Sequence, residues 1–181
     1  MITAVIIAGG RGVRMGQDIP KQFILLDGKP VIIYTLEVFE KHPLVDNIVC
    51  VCIDGWQDTL KSYAEKNGIT KLKSIVKGGA TGQESIRNGV ESLEGICKDD
   101  IVIIHDGIRP MVDEEVLSDV IVTCQKYGNA VTSLPYNEQI FVTDNGETTT
   151  QYIPRETLRR VSTPQAYKFG NLLARYREAF E

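Results

Sequence analysis

Short apolar, β-branched runs alternate along this chain with longer stretches whose apolar residues recur at helical spacing. Ile2–Ala8, Asn47–Ile53, Leu72–Val76, Ile101–His105 and Ala130–Leu134 read as buried strands. Between them, Val31–Lys41, Gln57–Asn67, Gln83–Leu93 and Glu114–Tyr127 read as helices, the third with Ile86, Val90 and Leu93 on one stripe. Strand and helix in regular alternation predict an α/β fold: a mostly parallel, twisted, Rossmann-like sheet with helices on both faces.

One segment breaks the rhythm. From Glu138 to Tyr152 the sequence is strand-like around Asp144-Asn145-Gly146, a hairpin signal. Inserted into a parallel domain, it predicts an arm at about 137–155, of the kind that pairs subunits into a homodimer; the alternative is an edge hairpin that covers the sheet. The final residues, Arg175 to Glu181, read as a helix without a Gly, Asn or Pro stop, which predicts a C-terminally truncated form of something longer.

Composition narrows the class. Residues 1–181 suit one domain, and 43% hydrophobic with 24% charged residues is ordinary globular usage. A net charge of -4 disfavours a nucleic-acid partner, which calls for a basic face. Cys50, Cys52, Cys97 and Cys124 form no C-x-x-C, and the two in Ile48–Ile53 read as small buried hydrophobes. The apolar N-terminus lacks a basic leader and is too short for a signal or membrane segment, so the expected location is the cytoplasm.

The chemistry concentrates after the strands. Ala8-Gly9-Gly10-Arg11-Gly12-Val13-Arg14-Met15-Gly16 follows the first run directly, and Pro20-Lys21-Gln22 comes next. Open α/β sheets bind ligands beyond the carboxyl ends of their strands, and glycine amides can cradle polyphosphate oxygens. Arg14 and Lys21 add cations. No Gly-Lys-Ser/Thr follows, which excludes a Walker A loop, and the third glycine of a dinucleotide fingerprint is missing. A nucleoside triphosphate suits the loop better than a dinucleotide.

Three further stretches could join it. His105-Asp106-Gly107-Ile108-Arg109-Pro110 ends a strand with a carboxylate that can assist a metal ion and an arginine that can pair a phosphate; it also fits a structural Asp–Arg turn. His105 reads as a packed strand residue rather than a general base. Lys77-Gly78-Gly79-Ala80-Thr81-Gly82-Gln83-Glu84-Ser85 could read a base edge through its backbone and Ser85, or be no more than a loop entering a helix. Arg155 precedes Ser162-Thr163-Pro164-Gln165-Ala166-Tyr167, and alone it would read as a solvated surface arginine.

Taken in their order along the chain, the four stretches, over essentially all of it, resemble the 2-C-methyl-D-erythritol 4-phosphate cytidylyltransferases and their relatives, the ribitol-5-phosphate cytidylyltransferases. The resemblance implies transfer of CMP from CTP to a polyol phosphate, with release of pyrophosphate. The acceptor is a methylerythritol phosphate in isoprenoid biosynthesis, or a ribitol phosphate in wall or capsule polymers. It implies Arg14 and Lys21 on the CTP phosphates, with Ala8, Gly9, Gly10 and Gly12 in the nucleotide loop and Gly79 and Ser85 around cytosine. It also implies Asp106 and Arg109 near the reacting phosphates, Mg2+ at Asp106, Arg155 on the acceptor phosphate from the neighbouring subunit, and a homodimer through the arm.

Departures from the family pattern sharpen the expectations. Ala80, Thr81 and Gly82 stand where the family places acidic and arginine residues, which predicts a looser base loop or weaker CTP selectivity. Glu138-Gln139 replaces an Asp-Thr pair near the acceptor, and the family's threonine-acid segment and late lysine lie beyond residue 181. A nucleotidyltransferase of the same fold using another triphosphate or acceptor, or a non-catalytic nucleotide-binding domain, stands as the alternative.

Overall fold

Side chains of β1 (Ile2–Ala8) alternate between two cores, Ala4, Ile6 and Ala8 entering one while Val5 and Ile7 enter the other. A strand buried on both faces needs no polar alternation, which is why its sequence is continuously apolar. The computed structural model describes residues 1–10, 19–93 and 95–180. After β1 come a short hairpin of β2 (Leu25–Leu26) and β3 (Lys29–Pro30), α1 (Val31–Lys41), β4 (Asn47–Cys52), α2 (Gln57–Lys66) and β5 (Leu72–Lys77). They are followed by α3 (Gly82–Glu91), β6 (Ile101–Asp106), α4 (Glu114–Tyr127), β7 (Asn129–Pro135), β8 (Ile140–Val142), β9 (Gln151–Ile153), β10 (Arg159–Lys168) and α5 (Phe169–Phe180).

The main sheet has six strands in the order β5-β4-β1-β6-β10-β7. β5, β4, β1 and β6 pair in parallel, and β10 runs antiparallel to both β6 and β7. Helices α1, α2 and α4 supply Leu36, Phe39, Leu60, Leu117 and Ile121 to one face; α3 and α5 supply Val90, Phe169 and Leu172 to the other. The mostly parallel sheet with helices on both faces is therefore the observed architecture. Gly89 lets α3 sit directly on the sheet, since a Cβ there would meet Val5 and Val51 at 2.6 Å.

This order places the functional end. Connections from β1 lead outward to β4 and β5, and the chain then returns through α3 to β6 on the other side of β1. The strand order therefore reverses at the β1/β6 boundary, where open α/β sheets form a ligand crevice beyond the strand carboxyl ends.

The structure adds elements that the hydrophobic pattern does not announce. β10 carries a proline and several polar residues, and its register against β7 shifts between Val161 and Gln165. Proline cannot donate to a ladder, so it is tolerated here at an irregularity, and no clean alternation betrays the strand. The hairpin at 137–155 is present, yet its strands pair Ile140 with Ile153 and Val142 with Gln151 across a long loop rather than a tight two-residue turn. Asn145 holds that loop, its Oδ1 accepting from the Glu147 and Thr148 amides at 2.9 and 2.8 Å, and Gly146 takes a left-handed φ of 78°. β8 and β9 form a separate two-stranded sheet. Among the described residues, no helix is long and apolar enough to cross a membrane.

Candidate functional site

A cavity of about 790 Å³ opens at the carboxyl ends of β1, β4, β5 and β6. Its lining includes Ala8, Gly9, Gly10, Lys21, Gly79, Ser85, Asp106 and Arg109, residues from three separate sequence motifs. Its volume lies within the usual range of small-molecule sites, roughly 300–1,000 Å³. Gly12 and Arg14 lie outside the described residues.

The walls come together through backbone contacts that side chains would block. A Cβ on Gly78 would lie 3.0 Å from the Cα of Gly9, so the loops after β5 and β1 touch main chain to main chain. Gln22 closes the other side. It is 1% exposed, and its Nε2 donates to the carbonyls of Ala8 at 2.7 Å and Gly10 at 3.1 Å. It thereby ties the turn Lys21–Phe23 to the start of the glycine-rich loop and fixes where Lys21 begins. Phe23 stacks on Trp56 at 4.6 Å, anchoring the same turn to the segment after β4. Sequence reasoning named the Pro-Lys-Gln motif without giving Gln22 a task; a carboxamide beside a cation is its signal.

Opposite, the base of α3 is closely tied. Thr81 caps the helix, its Oγ1 accepting from the Glu84 amide at 3.1 Å, while the Glu84 carboxylate accepts from Ala80 and Thr81. The Thr-x-x-Glu spacing forms a capping box. Ser85, 3% exposed, accepts from the Gly79 amide at 3.0 Å and donates to the Thr81 carbonyl at 2.9 Å. The loop expected to be loose for want of the family's charged residues is thus held by Thr81 and Glu84 instead.

Asp106 and Arg109 form an ion pair at 2.6 Å, both side chains substantially exposed. A pair of that exposure contributes about 1 kcal/mol or less, so a phosphate or a cation can replace either partner at small cost. The turn that carries them is firmer than the pair. His105 lies fully buried beneath it, its Nε2 2.9 Å from the Arg109 carbonyl and its ring 5.1 Å from that of Phe39. Thr35 donates to the Gly107 carbonyl at 2.8 Å, and Thr163 accepts from the Asp106 amide at 3.3 Å. The Thr-Pro-Gln motif of β10 therefore braces the strand end. Burial pushes the His105 pKa below its usual value, which keeps the ring neutral, and its full burial outside the cavity lining marks it as a packed residue.

Charge across the cavity is mixed. Lys77 pairs with Asp54 at 2.8 Å and holds that carboxyl below its usual range. Lys21 makes no ion pair among the described residues. Cys50, Cys52 and Cys124 are buried; burial pushes the Cys52 thiol up to about 11 and raises Cys50 as well, so these thiols stay protonated and pack as apolar groups. Among the described residues, no three His, Cys, Asp or Glu side chains converge on a metal cage.

Arg155 is the candidate that the cavity does not gather. It sits exposed in the short turn Arg155–Thr157 after β9 and is absent from the cavity lining.

With this geometry in hand, comparison with known proteins is specific. The family model for 2-C-methyl-D-erythritol 4-phosphate cytidylyltransferase matches residues 2–181. A ribitol-5-phosphate cytidylyltransferase of Lacticaseibacillus paracasei is 60% identical over 99% of this chain and 77% of its own length. A 2-C-methyl-D-erythritol 4-phosphate cytidylyltransferase of Geobacter metallireducens is 39% identical over 98% of this chain and 77% of its own length. The crystal structure of the 4-diphosphocytidyl-2C-methyl-D-erythritol synthase of Anaerococcus prevotii superposes with a TM-score of 0.84 at 25% identity, covering 99% of this chain and 74% of the other.

Proposed function

The chain belongs to the 2-C-methyl-D-erythritol 4-phosphate cytidylyltransferase family, and we propose that its acceptor is ribitol 5-phosphate. Its reaction is CTP-dependent transfer of a cytidylyl group to a polyol phosphate. The observation that carries the choice of acceptor is the 60% identity to a ribitol-5-phosphate enzyme. Near 39% identity the relatives include enzymes of both acceptors, so that level of similarity does not separate them. This reading sets the product toward polyol-phosphate polymers and away from isoprenoid biosynthesis.

In the proposed mechanism an oxygen of the acceptor phosphate attacks the α-phosphorus of CTP in line. A new P–O bond forms, the bond to the β-phosphate oxygen breaks, and pyrophosphate leaves with its electron pair. No covalent protein intermediate is needed, so the protein works by positioning and by stabilising charge. The triphosphate lies along Gly9, Gly10 and the loop carrying Gly12 and Arg14, with Lys21 against the charge that develops at the α-phosphorus. Cytosine lies against Gly79 and Ser85. Arg109 exchanges Asp106 for a phosphate oxygen, by a bidentate pairing that its guanidinium favours.

The donors present fit a hard cation. Asp106 offers carboxylate oxygen at the cavity wall, and Mg2+ commonly takes one or two carboxylates and completes its shell with substrate phosphates and water. Asp106 would hold Mg2+, which when bound offsets negative charge on the phosphates. Outside the cavity, Phe141 and Tyr152 on the arm are 58% and 63% exposed, an apolar surface suited to a second copy of this chain. By this reading residues 1–181 act as one domain of a cytoplasmic homodimer joined through the arm, and Arg155 grips the acceptor phosphate in the neighbouring subunit's site.

Pyrophosphate release with CTP and Mg2+ tests the acceptor, with ribitol 5-phosphate, 2-C-methyl-D-erythritol 4-phosphate and a third polyol phosphate offered in turn. Ribitol 5-phosphate should give the highest kcat/KM. A higher value with methylerythritol phosphate would replace the acceptor. No release with any, together with no thermal protection by CTP, would favour a non-catalytic domain.

A further inference from the structure

The buried face of α1 is apolar but for one residue: Thr35 stands among Ile32, Ile33, Leu36 and Phe39, fully enclosed. A buried hydroxyl is costly unless it is hydrogen-bonded, and valine would fill the same space without one. Inside a helix a threonine hydroxyl commonly returns its proton to the carbonyl four residues back. Thr35 gives it instead to the Gly107 carbonyl at 2.8 Å, 72 residues along the chain. Gly107 and Ile108 form the middle of the turn between Asp106 and Arg109, which the Arg109 amide closes on the Asp106 carbonyl at 3.0 Å. Glycine restricts its own backbone less than any other residue, so this turn is held from outside. Gly107 N–H donates to the Ile7 carbonyl at 2.8 Å, and among the described residues its carbonyl accepts from Thr35 alone. A side chain could not take over the task, since a Cβ on Gly107 would crowd the Ile7 carbonyl oxygen at 3.1 Å and the Ala8 Cβ at 3.2 Å.

We infer that Thr35 is a positioning residue for Arg109: its hydroxyl fixes the peptide between Gly107 and Ile108, and with it the direction in which the arginine leaves the strand end. Asp106 is set upstream, as the last residue of β6 and in register with Ile7. Ile108 and Arg109 follow the turn, and both line the cavity, whereas Thr35 lies outside the lining. The inference rests on the reading that gives Arg109 a phosphate oxygen. A bidentate pair aligns two N–H groups with two oxygens, so a guanidinium that is tilted loses it even while its charge stays near. Removing the hydroxyl leaves a buried carbonyl without a partner, which favours any rotation of the turn that brings that carbonyl to water.

A double-mutant cycle on the whole chain tests this, read as pyrophosphate release with CTP, Mg2+ and the best acceptor, both substrates below saturation. Thr35→Val should lower the rate about tenfold, the scale of one unmade buried hydrogen bond. Thr35→Ser keeps the hydroxyl and should stay within about twofold of wild type. Arg109→Ala should lower the rate at least as far as Thr35→Val does. Adding Thr35→Val to Arg109→Ala should then change the rate by no more than about twofold, because residues that act through one contact are not additive. Should Thr35→Val fail to fold, Thr35→Ala, equally without a hydroxyl, carries the same expectation. The same factor lost in both backgrounds would reduce Thr35 to a core residue and overturn the inference, as would a wild-type rate in Thr35→Val. A wild-type rate in the single variant Arg109→Ala would instead strike the reading of Arg109, and the inference with it.

Discussion

The nucleotide end of the cavity and the arm that carries Arg155 are built in contrasting ways. At the strand ends, main chain touches main chain at Gly9 and Gly78, and buried Gln22 and Ser85 make their hydrogen bonds to neighbouring loops. β8 and β9 pair with each other in a sheet of their own, and their apolar side chains Phe141 and Tyr152 face solvent. One region is determined by contacts within the chain. The other presents surface, and its apolar exposure is what a partner copy would cover. A transferase that must bring two anions together gains from this division, since Gly9, Gly78, Gln22 and Ser85 tie the donor walls to one another without help from the acceptor.

The largest effect expected belongs to the nucleotide half. Lys21→Ala should lower kcat by roughly 10²–10³, the usual cost of one preorganised charge-stabilising contact. Lys21 is held by the Gln22 clamp and makes no ion pair among the described residues, so its loss leaves the surrounding turn intact. Pyrophosphate release at saturating CTP and acceptor reads it. A kcat within a few-fold of wild type would remove Lys21 from the transition state and weaken the contrast between the two regions.

Next comes the arm. Arg155→Ala should raise the KM for the acceptor by roughly 10- to 100-fold, the range for a charged hydrogen bond of about 1.5–3 kcal/mol, while the KM for CTP stays level. Mixing then decides which chain Arg155 serves. In a dimer of one Lys21→Ala chain and one Arg155→Ala chain, a trans-acting Arg155 rebuilds one complete site, and a cis-acting one rebuilds none. Co-refolded mixtures that recover activity place Arg155 across an interface. Mixtures that stay inactive at the level of the single variants move it back to its own chain, and the arm loses its catalytic part.

What could be read in the sequence follows the same division. β1, α1 and α4 have the predicted bounds because apolar periodicity and boundary signals agree: Pro30 precedes α1, and Gly128 ends α4 with a left-handed φ of 89°. The rule that ligands gather at strand carboxyl ends pointed to Ala8–Gly10 and to the strand end carrying Asp106 and Arg109, and the family resemblance joined Lys21, Gly79 and Ser85 to them; the cavity lining contains them all. β10 was not legible, because Pro164 and its polar neighbours carry no strand period. Gln22 and Glu84 escaped for another reason: each bonds to backbone of a neighbouring loop, and a sequence does not say which amides or carbonyls will lie within reach. Arg155 was singled out by family resemblance alone, and its place outside the cavity shows why local pattern gave it no weight.

The smallest effect expected probes how firmly the cavity floor is fixed. His105 lies fully buried on β6, its Nε2 facing the Arg109 carbonyl, so that nitrogen carries the proton of the neutral ring. Its Nδ1 has no hydrogen-bond partner among the described residues, and a second proton there would add a buried charge without an acceptor. Burial lowers its pKa from the usual 6.5, outweighing the upward pull of the Arg109 carbonyl and the nearby Asp106 charge. The unfolded chain therefore binds this proton at a higher pH than the folded one. Stability from His105 is full above about pH 6.5 and is lost as pH falls toward the depressed folded value. The slope for one group is at most about 1.4 kcal/mol per pH unit. His42, also buried with a lowered pKa, contributes in the same direction. His105→Gln keeps an amide donor for the Arg109 carbonyl and removes the titration. Its thermal midpoint should therefore fall less between pH 7 and pH 5 than that of wild type, with His42 leaving a residual slope. Equal slopes in the two proteins would mean that the turn carrying Asp106 and Arg109 yields to let His105 protonate, making the floor of the nucleotide half as adaptable as the arm.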